Sequence, residues 1–236
     1  MVDRPLTNWQ DVYDITAVSS MEEFHNGQEV HVWQTNLDSS ADYYDKLSSE
    51  EKDRVGKLRF VHDKRRYIIR HAVLRMILAA YSNCDFSSIQ FARTKYGKPF
   101  LIAKNEKGVI QFNMTHSKDK ACFVLAIKNK VGIDIEYVKS DFDWNSIANL
   151  YFTSKELSYL KEIPKEDQVI AFLNLWTNKE AILKAHGTGL IDFEEGTVDS
   201  LINKYTSLPF YCGDNYQGTL AYRTEIERVR FFRYPT

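Results

Sequence analysis

The sequence predicts a mixed α+β fold in which one order of elements occurs twice. Two stretches carry apolar residues at helical spacing. In 63–81 these are Ile69, Val73, Met76, Ile77 and Ala80; in 167–185 they are Val169, Phe172, Leu173 and Trp176. Each stretch follows a capping-box sequence, Ser48-Ser49-Glu50-Glu51 or Thr153-Ser154-Lys155-Glu156. In such a box a hydroxyl and a glutamate three residues on satisfy each other's backbone donors. Short alternating or β-branched segments lie around them, as strands do. The order of cap, short helix, long helix and strands therefore appears twice, which a duplication into two similar lobes with a cleft between them would explain. Capping sequences are common, so by itself the echo is equally compatible with coincidence.

Taken in order, the first 28 residues show no periodicity and are read as irregular. At 30–35, Val30 and Val32 alternate with His31 and Trp33, which predicts a strand. The first capping box opens a helix, and the stronger helix over 63–81 follows. A strand is expected at 89–94, punctuated by the turn Tyr96-Gly97-Lys98-Pro99. Segments 109–114 and 121–127 read as strands joined by a polar turn over 115–120, and 130–137 as another strand. Asp141, Asp143 and Asn145 mark a loop that leads into helix. The helix over 167–185 stops at Gly187 and Gly189. Residues 197–234 alternate loosely and read as β-rich.

The bulk composition excludes several classes. The chain has 236 residues, a length suited to one compact unit or two small lobes sharing a core. With 44% hydrophobic and 14% aromatic residues it is not a disordered chain. A formal net charge of −1 disfavours a globally basic nucleic-acid binder. No uninterrupted apolar run is long enough to span a membrane, and the first fourteen residues lack the apolar stretch of a signal peptide. Cys84, Cys122 and Cys212 are odd in number and far apart, as expected of reduced thiols in a cytoplasmic protein.

Three groups of residues could carry chemistry. In Gly132-Ile133-Asp134-Ile135-Glu136 the two carboxylates point to one face of a strand. Two unpaired acids are costly to bury, and a divalent cation with oxygen ligands, Mg²⁺ above all, would resolve that cost. A solvated strand face would resolve it equally. In the second group Glu180 lies one turn beyond Trp176 and continues its apolar stripe, and Lys184 lies one turn further on. A functional carboxylate and a surface Glu–Lys pair both fit this spacing. The third group is the basic run Arg54, Lys57, Arg59, Lys64, Arg65, Arg66, Arg70 and Arg75. Arg66 and Arg70 repel each other one turn apart unless an anion such as phosphate lies between them. A solvated basic face is the plainer alternative. These arginines sit on a helix rather than between aromatics on a strand, which argues against an RNA-binding module.

The order and spacing of these groups resemble the Sfp-type 4′-phosphopantetheinyl transferase superfamily. The resemblance rests on Gly132-Ile133-Asp134-Ile135-Glu136 followed by Trp176-Thr177-Asn178-Lys179-Glu180-Ala181-Ile182-Leu183-Lys184. Phe112-Asn113-Met114-Thr115-His116-Ser117, Gly97-Lys98-Pro99, the basic segment from Ser48 to Tyr67 and Gly187-Thr188-Gly189-Leu190 agree with it. It runs from about Ser48 to Leu190. It implies two pseudo-symmetric lobes, each a small sheet packed on a long helix, divided here at 1–118 and 119–236, with the active site in the cleft.

The implied reaction moves the phosphopantetheine arm of coenzyme A onto a serine of an acyl or peptidyl carrier protein, with Mg²⁺, in a monomer. By resemblance, Asp134, Glu136 and Glu180 bind Mg²⁺. Arg54, Arg66 and His116 hold the 3′-phosphate. Gly97, Lys98, Pro99 and Thr115 line the adenine end, and Glu156 and Lys184 assist at the diphosphate. Glu180, Lys184 and His116 form the catalytic group. Position 51 departs from the pattern: Glu51 stands where some members place a phosphate-binding lysine, and Lys57 is the available substitute. A non-catalytic coenzyme A-binding protein is the competing reading, disfavoured because the carboxylates and the lysine are all present. Phe142 and Trp144, beside Asp141 and Asp143, are read either as a docking patch for the carrier or as core residues of the next helix.

Overall fold

In the computed structural model, which describes residues 7–102, 109–188, 197–223 and 225–236, two sheets pack face to face between two long helices. The first sheet contains β1 (Trp9–Asp11), β2 (Glu29–Asn36), β5 (Ile110–Ser117), β6 (Lys120–Ile127) and β10 (Arg228–Arg233), in the order β1-β10-β2-β6-β5. The second contains β7 (Val131–Tyr137), β8 (Thr206–Phe210) and β9 (Tyr216–Tyr222), in the order β7-β9-β8. A separate hairpin joins β3 (Phe91–Arg93) to β4 (Pro99–Leu101). The fold is α+β, as the sequence predicts.

Strand alternation builds the layers. On β2, Trp33 joins Ile69, Val73, Ile77 and Leu78 of the long helix α4 (Val61–Ser82), while Val30 and Val32 join Val131, Ile133 and Ile135 of β7. Both faces of β2 are thus buried, and its alternation separates two cores rather than core from solvent. On β7 the residues between these valines and isoleucines, Gly132, Asp134 and Glu136, turn the opposite way, toward α7 (Lys165–His186).

The repeated order of elements is present in full. Ser48 caps α3 (Ser49–Lys57) in a complete capping box, and Thr153 caps α6 (Ser154–Glu162) in another; each nine-residue helix precedes one of 22 residues. Both box glutamates also pair with a buried cation on the long helix. Glu51 Oε2 accepts from Arg75 Nε at 2.6 Å and from the Ser48 amide at 2.9 Å. Glu156 Oε1 lies 3.0 Å from Lys179 Nζ. Each long helix ends on a left-handed residue, Asn83 or Gly187.

Several expectations are corrected. The segment read as irregular contains α1 (Ile15–Ser19) and α2 (Glu22–His25) as well as β1, and α8 (Thr197–Ile202) precedes the C-terminal strands. The turn expected over 115–120 is only Lys118 and Asp119, so Thr115, His116 and Ser117 belong to β5. A division at 118/119 would cut the β5–β6 hairpin, both strands of which lie in the first sheet. β10 also crosses into that sheet, between β1 and β2. There Arg230 and Arg228 reach buried Glu29 at 2.8 and 3.2 Å. Trp144 is 8% exposed and stacks on Phe172, and half-buried Phe142 packs on the same ring. These two aromatics are core residues of the layer around α5 (Asn145–Tyr151), not a docking patch.

Glu51 supports a stability prediction. Burial works against its charge, but His71, the Ser48 amide and Arg75 outweigh it and hold the carboxyl at about 2, below its ordinary 4.5. A depressed native value stabilises the fold above the ordinary value, and that stabilisation is lost as pH falls toward the native value. Glu51→Gln should therefore cost about 3 kcal/mol at neutral pH. Urea unfolding at pH 7 and near pH 2.5 should show the difference closing; a constant difference would mean that charge is not its cause.

Candidate active site

The site forms where β7 meets α7. Gly132 allows the contact: a Cβ there would lie 2.1 Å from the Ala181 carbonyl oxygen and 2.3 Å from the Ala185 nitrogen. With the backbones this close, Lys184 Nζ reaches Asp134 Oδ1 at 2.6 Å and lies 3.8 Å from Glu180 Oε2. Thr115 Oγ1 donates to the same Asp134 oxygen at 3.0 Å. Asp134 Oδ2 is buried without a hydrogen-bond partner. Glu136 accepts from Ser117 Oγ at 3.0 Å.

This cluster holds more negative charge than its surroundings neutralise. Burial raises the carboxyls of Asp134 and Glu180, and burial together with the Asp134 charge raises Glu136 to about 7. Burial opposes the Lys184 charge, but Asp134 and Glu180 prevail and its pKa is raised. Among the described residues no three His, Cys, Asp or Glu side chains converge on one metal position as they stand. The donors nevertheless fit a hydrated hard cation, which takes one or two carboxylates and keeps several waters. Asp134 Oδ2 is the buried oxygen left to receive it.

β5 presents a second chemistry on its other face. Asn113, Thr115 and Ser117 turn toward β7: Asn113 Oδ1 accepts from the Ile133 amide, and Ser117 Oγ accepts from the Tyr137 amide, each at 3.1 Å. Alternation sends Phe112, Met114 and His116 toward α4. There Arg70 Nε is buried without a hydrogen-bond partner, and loss of water lowers the Arg70 pKa. His116 is exposed at the end of β5, where partial loss of water and the charges of Arg70, Lys184, His71 and Arg66 hold it down to about 4. An arginine whose buried Nε is free, beside a histidine that positive neighbours keep neutral, leaves positive charge on this face that an anion would offset. Beside it opens a cavity of about 520 Å³ lined by Arg54, Tyr67, His71, Arg93, Pro99 and Asn113, among others.

Arg66 is engaged in a two-pronged pair with Asp38, at 2.8 and 2.9 Å. Arg54 and Pro99 line the cavity; exposed Lys57 does not. Glu51, pinned to Arg75, is unavailable to a phosphate. Thr115 is turned onto Asp134 rather than toward the cavity. Gly97 takes a left-handed φ of 82° that lets the chain turn. Lys98 points away from the cavity, into backbone carbonyls of α7 and β7. Glu156 is occupied by its own cap and by Lys179. Gly189 and Leu190 lie outside the described residues. Sequence reasoning passed over Asn113 and Ser117 as site residues and placed Arg70 only within a basic run. The like-charge spacing of Arg66 and Arg70 did signal an anion, but not which of the two stays unpaired.

A 4′-phosphopantetheinyl transferase of Nostoc, HetI, is 33% identical to this chain over 171 residues, which cover 71% of the chain and 72% of that protein. The chain belongs to the 4′-phosphopantetheinyl transferase superfamily. The model of that superfamily matches residues 130–222, and a model of the 4′-phosphopantetheinyl transferase N-terminal region matches 31–128. The two meet at the turn between β6 and β7. The transferase gsp of Aneurinibacillus migulanus is 34% identical over 145 residues, 61% of this chain and 57% of that protein. The L-aminoadipate-semialdehyde dehydrogenase-phosphopantetheinyl transferase of the mouse is 30% identical over 154 residues, 61% of this chain and 49% of that protein. The protein is thus an enzyme of the phosphopantetheinyl transferase class. Among the described residues no helix is long and apolar enough to cross a membrane.

The Gly132 contact predicts that a single methyl group will disturb the site. Gly132→Ala must push β7 off α7, at a cost of at least about 1–3 kcal/mol. The melting temperature should fall, and the Lys184–Asp134 pair should open. A variant as stable as the parent would show that the two backbones are not in contact.

Proposed function

We propose that this enzyme transfers 4′-phosphopantetheine from coenzyme A to a serine hydroxyl of an apo acyl or peptidyl carrier protein, with Mg²⁺, and releases 3′,5′-ADP. The reading is supported above all by the division of charge across β5, with unpaired Arg70 and His116 on one face and an excess of carboxylates on the other. Coenzyme A carries a matching division. Its 3′-phosphate needs cations, while its diphosphate, also anionic, approaches carboxylates only with a cation between them.

In this reading Arg70, Arg54 and His116 hold the 3′-phosphate. His116 is neutral beforehand and gains a proton more readily once the dianion lies beside it. Asp134 and Glu136, with Glu180, hold the Mg²⁺, which offsets charge on the diphosphate when bound. The carrier serine oxygen attacks the β-phosphorus, and the bond from that phosphorus to the bridging oxygen breaks. Glu180 takes the serine proton, and burial, which raises its carboxyl above the ordinary value, favours that acceptance. Lys184, beside Asp134 and Glu180, faces the leaving phosphate with a proton and a charge. A monomer in the cytoplasm suffices for this chemistry.

Two measurements check the reading. Incubated with coenzyme A and Mg²⁺, an apo carrier should gain the mass of one phosphopantetheine arm, and excess chelator should prevent it. No gain with any acyl or peptidyl carrier would refute the proposal. The phosphate assignment is tested separately by calorimetry on coenzyme A and its 3′-dephospho form. The parent should prefer coenzyme A, and Arg70→Met should lose about ten- to a hundredfold of that preference, the worth of a charge-assisted bond. An unchanged preference would move the phosphate elsewhere.

A further inference from the structure

Lys98 lies on the turn between β3 and β4, yet its ammonium is spent on the opposite lobe. Nζ donates to the Lys184 carbonyl at 2.6 Å, the Val131 carbonyl at 3.2 Å and the Ala185 carbonyl at 3.3 Å. Two of these belong to the last turn of α7, where helical carbonyls lack amide partners within the helix. The Gly187 amide caps Leu183 at 2.8 Å, which leaves the oxygens of Lys184 and Ala185 beyond that bond. The third begins β7, brought to the same point by the Gly132 contact. The lysine stem runs beneath Gly187, where a Cβ would lie 3.5 Å from Lys98 Cδ. Helix C-termini favour cations, and here the cation comes from a distant part of the chain.

We propose that Lys98 is a positioning residue: by capping the last turn of α7 from the opposite lobe, it fixes Lys184 against Asp134. The residue whose carbonyl Lys98 holds most closely is the one whose ammonium sits 2.6 Å from Asp134. Freed of the cap, the final turn can fray and carry the Lys184 side chain out of register with the carboxylates. Lys98 is not among the residues lining the cavity beside Arg54 and Asn113; it lines a second cavity of about 460 Å³ with Lys130, Ala185 and Gly187, but its ammonium is turned onto the carbonyls. Burial, with Lys130 nearby, lowers the Lys98 pKa to about 8, in keeping with a cation balanced by carbonyl dipoles rather than by a carboxylate.

The kinetic arm of the test rests on the proposed transfer reaction; the structural arm does not. In Lys98→Met, hydrogen exchange at the amides of residues 183–187 should speed up roughly tenfold or more relative to the first turns of α7. With a carrier and coenzyme A, kcat should fall about tenfold or more while KM for coenzyme A changes less than about threefold. If Lys98→Met does not fold, Lys98→Gln, polar and too short to reach all three carbonyls, should show the same pattern. Unchanged exchange in the last turn would overturn the proposal. So would a raised KM for coenzyme A with kcat intact, which would make Lys98 a substrate ligand. If the parent transfers nothing to any carrier, the reaction assignment fails, and the exchange measurement still decides the role of Lys98.

Discussion

The structure depends on a seam between β5 and β7 that side chains make in place of a backbone ladder. Asn113 and Ser117 accept from amides of β7, and Thr115 and Ser117 donate to its two carboxylates. Asn113, Thr115 and Ser117 are therefore committed to β7, and the residues between them are free to face α4. This gives one strand two chemistries, set a single residue apart. The seam also explains how carboxylates can be tolerated in an apolar sandwich. Asp134 and Glu136 sit where hydroxyls and a lysine satisfy part of their demand, and the remainder is what a bound cation would supply.

The two halves repeat a local device and use it differently. In each, the glutamate of a capping box reaches a cation buried on the following long helix. Arg75 also donates to the carbonyls of Phe86 and Ile89, so its half of the device anchors the hairpin region. Lys179 precedes Glu180 in the chain, so the other half steadies the turn of α7 from which a site carboxylate projects. The glutamate at position 51, anomalous as a phosphate ligand, is ordinary as the counterpart of Glu156. A lysine there would lack the capping role and would meet Arg75 as a like charge.

Much of this was legible in the sequence because it is local. Capping boxes, helical periodicity and the shared face of Asp134 and Glu136 depend only on nearby residues, and the structure contains all of them. What remained hidden depends on contacts between distant segments. Alternation at 30–35 cannot say that both faces of the strand are covered. Spacing cannot say that Asp38 claims Arg66 and leaves Arg70 unpaired. The acidic neighbours of Trp144 leave it open between an exposed patch and the local core, and the ring of Phe172, far along the chain, decides for the core. The Gly-Lys-Pro turn was visible, while the destination of its lysine was not.

The insertion of β10 between β1 and β2 has a consequence for how the chain is made. As synthesis proceeds, β2 can pair with β6 once the first 130 or so residues have emerged. Its other edge, and the carboxylate of Glu29, must wait for Arg228 and Arg230. Until then the outer edge of β2 stays open and Glu29 has His31 beside it, at 3.0 Å, but neither arginine, a state prone to wrong pairing. The two repeats are alike in pattern but are not independent in assembly: β10, which follows both, completes the sheet that packs on α4.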